Sequence, residues 1–286
     1  MTSKLNFSVQ GVEVSIPLTC YDLKYWDYLC GKKAETDVLK AIKSKDEDGN
    51  DIDVEMTPEQ SNSLKIAAMV RFCDYVLNLP DNISSGDIIP FHSTTDLDTR
   101  FSVYDIAISA SIDITTLSLM KIYYHINNMV ENFDGASFTE AKLGDKLALF
   151  HRGEKYVIGS QDLENNPSGL TANEFIANNE IRQIGKPVFG DDIDISVHAM
   201  TMYSQLAVLA KKEGEQLDTN PLMRQRFIER RALYFKEGVS FAFVREVDFF
   251  LSSLAINYMT SKGLNTSTKV RRKYDKTAAR AIMNVA

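Results

Sequence analysis

The sequence predicts an α+β protein that is predominantly helical, with two small β-hairpins that are each followed by a capped helix. Paired apolar runs around a glycine-containing turn indicate hairpins at residues 7–16 and 147–158. Soon after each hairpin, a threonine precedes an acidic residue by three positions, which is the spacing of a helix-capping box. Apolar residues three or four positions apart indicate amphipathic helices over much of the remaining chain.

The first hairpin turns at residues 10–11 and leads into the first predicted helix. Thr19 and Asp22 provide the capping signal of this helix. Gly31 is predicted to end it, because glycine suits the left-handed conformation that often closes a helix. A short helix is then expected over residues 36–43.

Residues 46–53 are rich in aspartate and pose the question of a calcium-binding loop. An EF-hand loop that begins at Asp46 would place Asp51 where the loop requires glycine, and Thr57 where it requires a bidentate glutamate. Because this register does not fit, the sequence predicts a solvated acidic turn here.

Thr57 begins the next predicted helix. Pro58 takes the first helical position, and Gln60 completes a capping box with the threonine. Apolar residues then continue with helical spacing, and Pro80 is expected to end the helix. The following residues, 81–100, are rich in Ser, Thr, Asp and Gly and therefore predict a loop.

Another amphipathic helix is predicted from Asp113 to Val130, whereas residues 103–112 fit either a helix or a strand. Four residues form its apolar row: Leu119, Ile122, Ile126 and Met129. A row of this kind is typical of a face that packs in a core. The segment 131–136 is the predicted boundary between the two halves of the chain.

The second half repeats the order of hairpin, loop and capped helix, with Thr171 and Glu174 as the capping pair. Further helices are predicted over residues 195–212 and 221–235, and a last one has apolar residues from Phe243 to Tyr258 and is predicted to close at Gly263. The helix that begins after Asn220 carries the arginines Arg224, Arg226, Arg230 and Arg231, balanced by Glu229 and Glu237.

The predicted organisation has three parts. Residues 1–134 contain the first hairpin and a helical half, residues 135–263 contain the second hairpin and a helical half, and residues 264–286 form a basic C-terminal tail. The repeated order of elements suggests that the first two parts are related.

Motifs of catalysis and cofactor binding are missing from the sequence. The four histidines stand apart and have no metal-site spacing: His92, His125, His151 and His198. Phosphate-binding glycine loops and the nucleophile elbow are absent as well. We therefore predict no enzyme activity, no catalytic residue, no metal site and no cofactor. An active site assembled from residues distant in the sequence stays open, since spacing does not reveal spatial clusters.

Two weaker patterns receive structural interpretations. Asp191, Asp192 and Asp194 could hold a divalent cation, but aspartates also favour the first turn of a helix, where the helix dipole attracts anions. The three cysteines include no Cys-x-x-Cys pair, so they indicate neither a zinc site nor a redox couple: Cys20, Cys30 and Cys73.

The net charge of −7 is distributed unevenly along the chain. Residues 262–286 carry +6, which leaves −13 on the preceding residues. Five bases of this tail form the predicted partner-contact site: Lys269, Arg271, Arg272, Lys273 and Lys276. An acidic body with a basic tail is typical of interaction proteins, and we expect a protein partner. Nucleic acid is the alternative partner, because clustered bases beside Tyr274 could neutralise phosphates and stack on a base.

A membrane partner is not expected. The longest uncharged stretch near the C-terminal helix, residues 249–261, is shorter than the roughly 20 residues that span a bilayer. The N-terminus has no apolar core of a secretory signal, so cytosolic synthesis is expected.

The short hairpin that runs into Pro17-Leu18-Thr19, followed by Asp22 and Leu23, resembles the start of tail-assembly and baseplate-assembly proteins of tailed bacteriophages, including T-even-like baseplate proteins. The later segment GEKYVI…LTANEFI is similar. The chain departs from those proteins in having no Cys-x-x-Cys pair, and the resemblance implies no catalytic residue.

The expected function is that of a non-enzymatic bacteriophage virion structural or assembly protein. It would act through protein–protein contacts in tail or baseplate construction, with other phage proteins as partners and with homo-oligomers as a further expectation. Its expected location is the host cytoplasm during assembly, and the sequence leaves open whether it is a permanent component of the virion or a transient assembly factor. The alternative is a helical regulatory protein that binds nucleic acid through its basic C-terminal tail.

Overall fold

The computed structural model describes residues 4–40, 43–45, 51–53, 56–89, 91, 118–133, 146–158, 177, 181, 195–247 and 249–250. These residues form helices and short antiparallel hairpins, so the predicted α+β, predominantly helical class is confirmed. The chain divides into two compact units, residues 1–133 and residues 134–285.

Strands β1 (Lys4–Val9) and β2 (Val12–Pro17) form the first predicted hairpin. Gln10 and Gly11 at its turn have φ values of 53° and 82°. Two consecutive positive φ angles are typical of the type I′ turn, whose twist matches that of the flanking strands. The β2 side chains alternate in burial, and Ile16 lies in the core.

Helix α1 (Tyr25–Lys40) passes through the position where the sequence predicted an end. Gly31 lies inside the helix and is buried. A Cβ atom at Gly31 would lie 3.0 Å from the backbone oxygen of Phe72 and 3.3 Å from Val76 Cγ2. The glycine therefore permits close packing of another helix, and the predicted helix end at this residue is wrong.

The predicted start of α1 is also wrong. Thr19 Oγ1 donates a hydrogen bond to Asp22 Oδ2 at 2.7 Å, and the Asp22 amide donates to the Thr19 carbonyl at 3.0 Å. These bonds close a turn that precedes the helix. The separate short helix predicted at 36–43 is wrong as well, because residues 36–40 are the end of α1 and Lys43 belongs to a strand.

Helix α2 (Pro58–Val76) begins at the predicted cap. Thr57 Oγ1 accepts a hydrogen bond from the Gln60 amide at 3.2 Å, and Gln60 Oε1 accepts one from the Thr57 amide at 3.0 Å. This reciprocal pair is the capping box that the sequence predicted. Phe72 is fully buried on the face of α2 toward α1. Its ring packs edge-to-face on that of Tyr28, with 6.1 Å between the two ring centres.

A third hairpin, β3 (Lys43–Lys45) with β4 (Asp51–Asp53), corrects the prediction of a solvated acidic turn over residues 46–53, because β4 lies inside that range. Its strands have three residues each, which is too short for alternating polarity to be recognised. The acidic residues 46–50 lie outside the described residues.

A one-turn helix, α3 (Ser85–Ile88), lies within the segment predicted as a loop, which corrects that prediction. Ser84 caps it, and Asp74 of α2 accepts a hydrogen bond from the Ser85 amide at 2.6 Å. This tertiary bond fixes a turn too short for helical periodicity to reveal. The undecided residues 103–112 lie outside the described residues.

Helix α4 (Leu119–Glu131) begins later than predicted, because Ser118 has an extended conformation and its side chain accepts a hydrogen bond from the Lys121 amide at 3.3 Å. The start predicted at Asp113 is therefore wrong. Three members of the predicted apolar row are fully buried: Leu119, Ile122 and Ile126.

In the second unit, β5 (Leu147–His151) and β6 (Glu154–Ile158) form the predicted hairpin. Arg152 and Gly153 at its turn have φ values of 49° and 80°, again a type I′ combination. The capping pair predicted after this hairpin, at residues 171 and 174, lies outside the described residues.

Three helices follow: α5 (Ile195–Leu209), α6 (Pro221–Lys236) and α7 (residues 241–247 and 249–250). Asn220 caps α6 as predicted, with its side chain accepting a hydrogen bond from the Leu222 amide at 3.0 Å. Helix α5 ends at Leu209, short of the predicted residue 212, because Lys211 pairs with β6 instead.

Candidate functional site

The predicted partner-contact residues lie outside the described residues: Lys269, Arg271, Arg272, Lys273 and Lys276. The same holds for the aspartates considered for a divalent cation: Asp191, Asp192 and Asp194. Their roles stay predictions, and the candidate site is built from the described side chains.

Metal-binding and membrane-spanning features are missing from the described part of the chain. No three or more of its His, Cys, Asp and Glu residues come together in a group suited to a metal ion. Among the same residues, no helix combines the length and apolarity needed to cross a bilayer.

In the first unit, a partly buried polar cluster joins α1 to α4. Glu35 accepts hydrogen bonds from the Lys32 ammonium at 2.9 Å and from the Tyr123 hydroxyl. Lys32 also lies 5.0 Å from the centre of the Phe72 ring, within cation–π range. Burial raises the pKa of Tyr123, and its bond to Glu35 raises that pKa further. The tyrosine therefore keeps its proton and ties two helices together.

A polar pocket of about 190 Å³ lies beside the first hairpin. Its charged lining includes two lysines and three acids: Lys4, Lys24, Glu13, Asp22 and Asp27. Lys24 Nζ lies 3.8 Å from Asp27 Oδ2. Burial raises the pKa of Asp27, and the nearby Lys24 and Lys4 oppose that shift. The pocket wall thus carries charges of both signs, with one more acid than lysines.

In the second unit, the hairpin is joined to the loop after α5 by backbone and side-chain contacts. Val157 and Lys211 exchange backbone hydrogen bonds of 2.8 and 3.1 Å. Glu154 accepts hydrogen bonds from the Tyr156 hydroxyl at 2.6 Å and from the Lys212 ammonium. The bond from Lys212, then that from Tyr156, lowers the pKa of Glu154. Burial, followed by the bond to Glu154, raises the pKa of Tyr156.

Arg231 of α6 extends this contact into a network. Its guanidinium donates hydrogen bonds to the Ala210 carbonyl at 3.1 Å and to the Glu215 carboxylate. The same group lies 4.4 Å from the Phe227 ring centre and 5.4 Å from that of Tyr156. The contacts with Ala210, Glu215 and Tyr156 connect α6 to the loop after α5 and to β6, so the network stabilises the hairpin on its helices.

His151 is buried at the end of β5 against aromatic rings of α6. Its ring centre lies 4.8 Å from that of Tyr234 and 5.7 Å from that of Phe235. Arg152 and Glu237 form an ion pair of 3.0 Å beside it. Burial lowers the pKa of His151, and the hydrogen bond to the Tyr234 backbone partly opposes this shift. The imidazole is thus neutral near pH 7 and serves packing.

Helix α6 has two contrasting faces. The inward face carries the buried residues Arg224, Ile228, Ala232 and Phe235. The outward face exposes three large apolar side chains: Leu222 at 69%, Met223 at 51% and Leu233 at 52%. Exposed apolar side chains on one helix face are typical of a surface that binds another protein. This face is the candidate functional site.

The arginines of this helix were evident from the sequence, but its apolar outer face was not predicted. The signal was the spacing of Leu222 and Leu233, which are eleven residues apart and so lie on one side of a helix. Only the buried Ile228 and Phe235 establish which side faces the core. That assignment required the tertiary structure.

No protein-family model, no curated protein and no solved structure matches this chain.

Proposed function

We propose that this chain is a non-enzymatic bacteriophage structural or assembly protein that acts through protein–protein contacts in tail or baseplate construction. The observation that carries the proposal is the outer face of α6, where Leu222, Met223 and Leu233 are exposed. Leaving such side chains in water forgoes about 1.5–3 kcal/mol each relative to full burial, so a partner that covers them gains that free energy.

The polar clusters of the described residues support a binding protein more than an enzyme. Glu35 and Glu154 are each bonded to a lysine and a tyrosine within the fold. The buried His151 lies among aromatic rings and next to an ion pair of a neighbouring turn. The two carboxylates hold elements together and the imidazole is buried, whereas a general base needs access to a substrate proton.

The phage assignment comes from the sequence resemblance of the opening hairpin and PLT segment. It implies a location in the host cytoplasm during assembly, either as a transient assembly factor or as a component that stays in the virion, with other phage structural or assembly proteins as its partners. A tagged copy expressed in phage-infected cells should therefore co-purify with tail or baseplate intermediates, identified by mass spectrometry.

The outer face can be tested in the same experiment. Leu222→Ser and Leu233→Ser together should remove the protein from those intermediates without changing its circular dichroism spectrum. Lys155→Ser, at an exposed position of β6, is the matched control and should be incorporated normally. Incorporation of the double variant at the normal level would contradict the proposed role of this face.

Nucleic-acid binding through the tail is the second candidate function, favoured by the +6 charge of residues 262–286. It predicts an affinity for DNA or RNA that falls steeply as salt increases, because phosphate contacts release counterions. Replacement of the five tail bases by glutamine should abolish this binding. If that variant is still incorporated normally into phage intermediates, nucleic-acid binding and phage assembly depend on different residues.

A further inference from the structure

We propose that the outer face of α6 binds α6 of a second copy of this chain in an antiparallel pair. The proposal rests on the proposed function, because it names the partner of the same surface. It depends on four residues, called here the outer stripe: Leu222, Arg226, Glu229 and Leu233.

The outer stripe is straight and narrow. At about 100° per residue, Leu233 lies only about 20° around the helix from Leu222, and Arg226 and Glu229 fall within about 40° of Leu222 on either side. The stripe is about 16 Å long. Arg226, Glu229 and both leucines are exposed. A partner helix can therefore contact all four side chains at once.

The order of residues along the stripe is self-complementary. When two copies run antiparallel with Leu222 opposite the second copy's Leu233, Arg226 comes opposite the second copy's Glu229. Two-fold symmetry repeats each contact, so the interface has two leucine pairs at its ends and two ion pairs between them. In this single register, leucine thus faces leucine at both ends, and each charged residue faces one of opposite charge.

Other arrangements of the stripe match less well. A parallel pair in register would place Arg226 against Arg226 and Glu229 against Glu229, and like charges in contact disfavour association. The chain's own basic tail would approach Arg226 and Arg230, which are positively charged as well. Antiparallel self-pairing is the arrangement that satisfies both charges.

Among the described residues, the two charged side chains of the stripe have no ion-pair partner. Neither Arg226 nor Arg230 forms an ion pair with any residue of the described ranges. Glu229 accepts one hydrogen bond, from Gln225 of the same helix at 2.8 Å. The arginine of this helix that is engaged within the fold, Arg231, lies on the opposite side and bonds to Glu215.

The size of the surface predicts a weak dimer. One helix face on each copy buries less than the roughly 1,200 Å² of a stable interface, so we expect a dissociation constant of about 10 µM to 1 mM. Weak pairing suits a component that associates when an assembly brings copies close together, because the effective concentration is then high.

The test is sedimentation equilibrium of the full chain over a concentration series, with single and paired charge reversals. Arg226→Glu places glutamates opposite each other at both ion pairs and should weaken the dimer about tenfold. Glu229→Arg should weaken it similarly. The double variant carrying both changes restores opposite charges and should return the dissociation constant to within about threefold of the original.

Lys155→Glu is the matched control, since it makes the same charge change as Arg226→Glu at an exposed position of β6. It should leave the dimer unchanged. Circular dichroism of each variant verifies the fold, and all of the substituted side chains are exposed. Leu233→Ser, measured alongside, should abolish dimers without any change of charge.

Three results would overturn the self-pairing. They are a chain that stays monomeric up to about 1 mM, a dimer that Arg226→Glu does not weaken, and a double variant that remains as weak as the single ones. A monomer whose incorporation into phage intermediates still depends on Leu222 and Leu233 would assign the face to a different protein. In that case the proposed function stands and only the self-pairing fails.

Discussion

Gly31 and Gly153 are both required, but for different physical reasons. Gly153 has a φ of 80° with open space around it, so its requirement is conformational. Gly31 lies in a helix, and its requirement is space, because a Cβ there would lie 3.0 Å from the Phe72 carbonyl oxygen. A glycine in the sequence does not reveal which of these two reasons applies.

Gly31→Ala is expected to destabilise the first unit. Alanine stabilises an exposed helix by about 1 kcal/mol relative to glycine. Here the added methyl group must displace the backbone of α2, and overpacking of this kind costs about 1–3 kcal/mol. Urea unfolding measures the difference. Gly86→Ala is the control, because its nearest neighbour is a movable Val70 methyl group at 3.1 Å. A Gly31→Ala protein more stable than the original would refute the close-packing account.

His151 should make stability depend on pH. Burial lowers the pKa of the folded imidazole below its ordinary value of 6.5, so the unfolded chain takes up a proton first as the pH falls. The contribution of His151 is therefore complete above pH 6.5 and declines below it. Burial lowers the pKa of His125 as well.

The measurement is the difference in thermal midpoint between pH 7.5 and pH 5.5. His151→Gln, which cannot take up a proton, should show a smaller loss at the lower pH than the original protein. It should also be somewhat less stable at pH 7.5, because the ring contacts with Tyr234 and Phe235 are lost. If the thermal midpoint of His151→Gln falls as much between pH 7.5 and pH 5.5 as that of the original protein, His151 is not protonated differently in the folded and unfolded states.

At the scale of elements, the second hairpin depends on its contacts with the helices of its unit. A two-stranded hairpin alone is marginally stable in water. Here Val157 is bonded to Lys211, and Tyr156 is buried beneath Arg231. Arg231 therefore stabilises strand, loop and helix together.

Arg231→Ala is expected to cost about 2 kcal/mol, since it removes charged hydrogen bonds and leaves the Ala210 carbonyl and Glu215 Oε1 without the Arg231 donor, while Glu215 Oε2 keeps its bond from the Lys212 amide. Arg230→Ala, one position away on the exposed side, should change stability by less than about 0.5 kcal/mol. Thermal unfolding at a protein concentration well below dimer formation measures both. Equal effects of the two substitutions would show that the network has no special role.

The elements that the sequence predicted are those with local signals. The two long hairpins have turn residues that accept positive φ, and Thr57 and Asn220 cap helices through bonds to neighbouring amides. The errors came from tertiary effects. The approach of α2 decides that Gly31 stays helical, and a bond from the Ser85 amide to Asp74 fixes α3. The outer stripe required knowledge of which side of α6 is buried.

For the molecule as a whole, we expect no dependence on a bound metal. The described residues contain no suitable ligand group, and the sequence favours structural roles for the remaining aspartate clusters. Addition of EDTA should leave the thermal midpoint unchanged, because only a ligand bound to the native state stabilises it. A midpoint lowered by more than about 3 °C would reveal a metal site, and the aspartates at 46–53 and 191–194 would be the first to substitute.

The charge distribution leads to the remaining prediction. A segment of +6, residues 262–286, follows a body of −13 and can dock on an acidic surface of its own chain, of a second copy or of another protein. Each exposed ion pair contributes only about 0–1 kcal/mol, so several must act together, and salt must weaken them.

Removal of residues 264–286 should therefore weaken binding to phage intermediates at low salt and make little difference at high salt. The thermal midpoint should change by less than about 2 °C. A truncated protein that is insoluble or melts many degrees lower would instead identify the end of the chain as a packed helix, formed through its apolar residues Ala278, Ala279, Ala281 and Ile282. The truncated protein could instead lose DNA or RNA binding and still be incorporated into phage intermediates. That result would favour the nucleic-acid function of the tail, because nucleic acid and the phage proteins would then bind different parts of the chain.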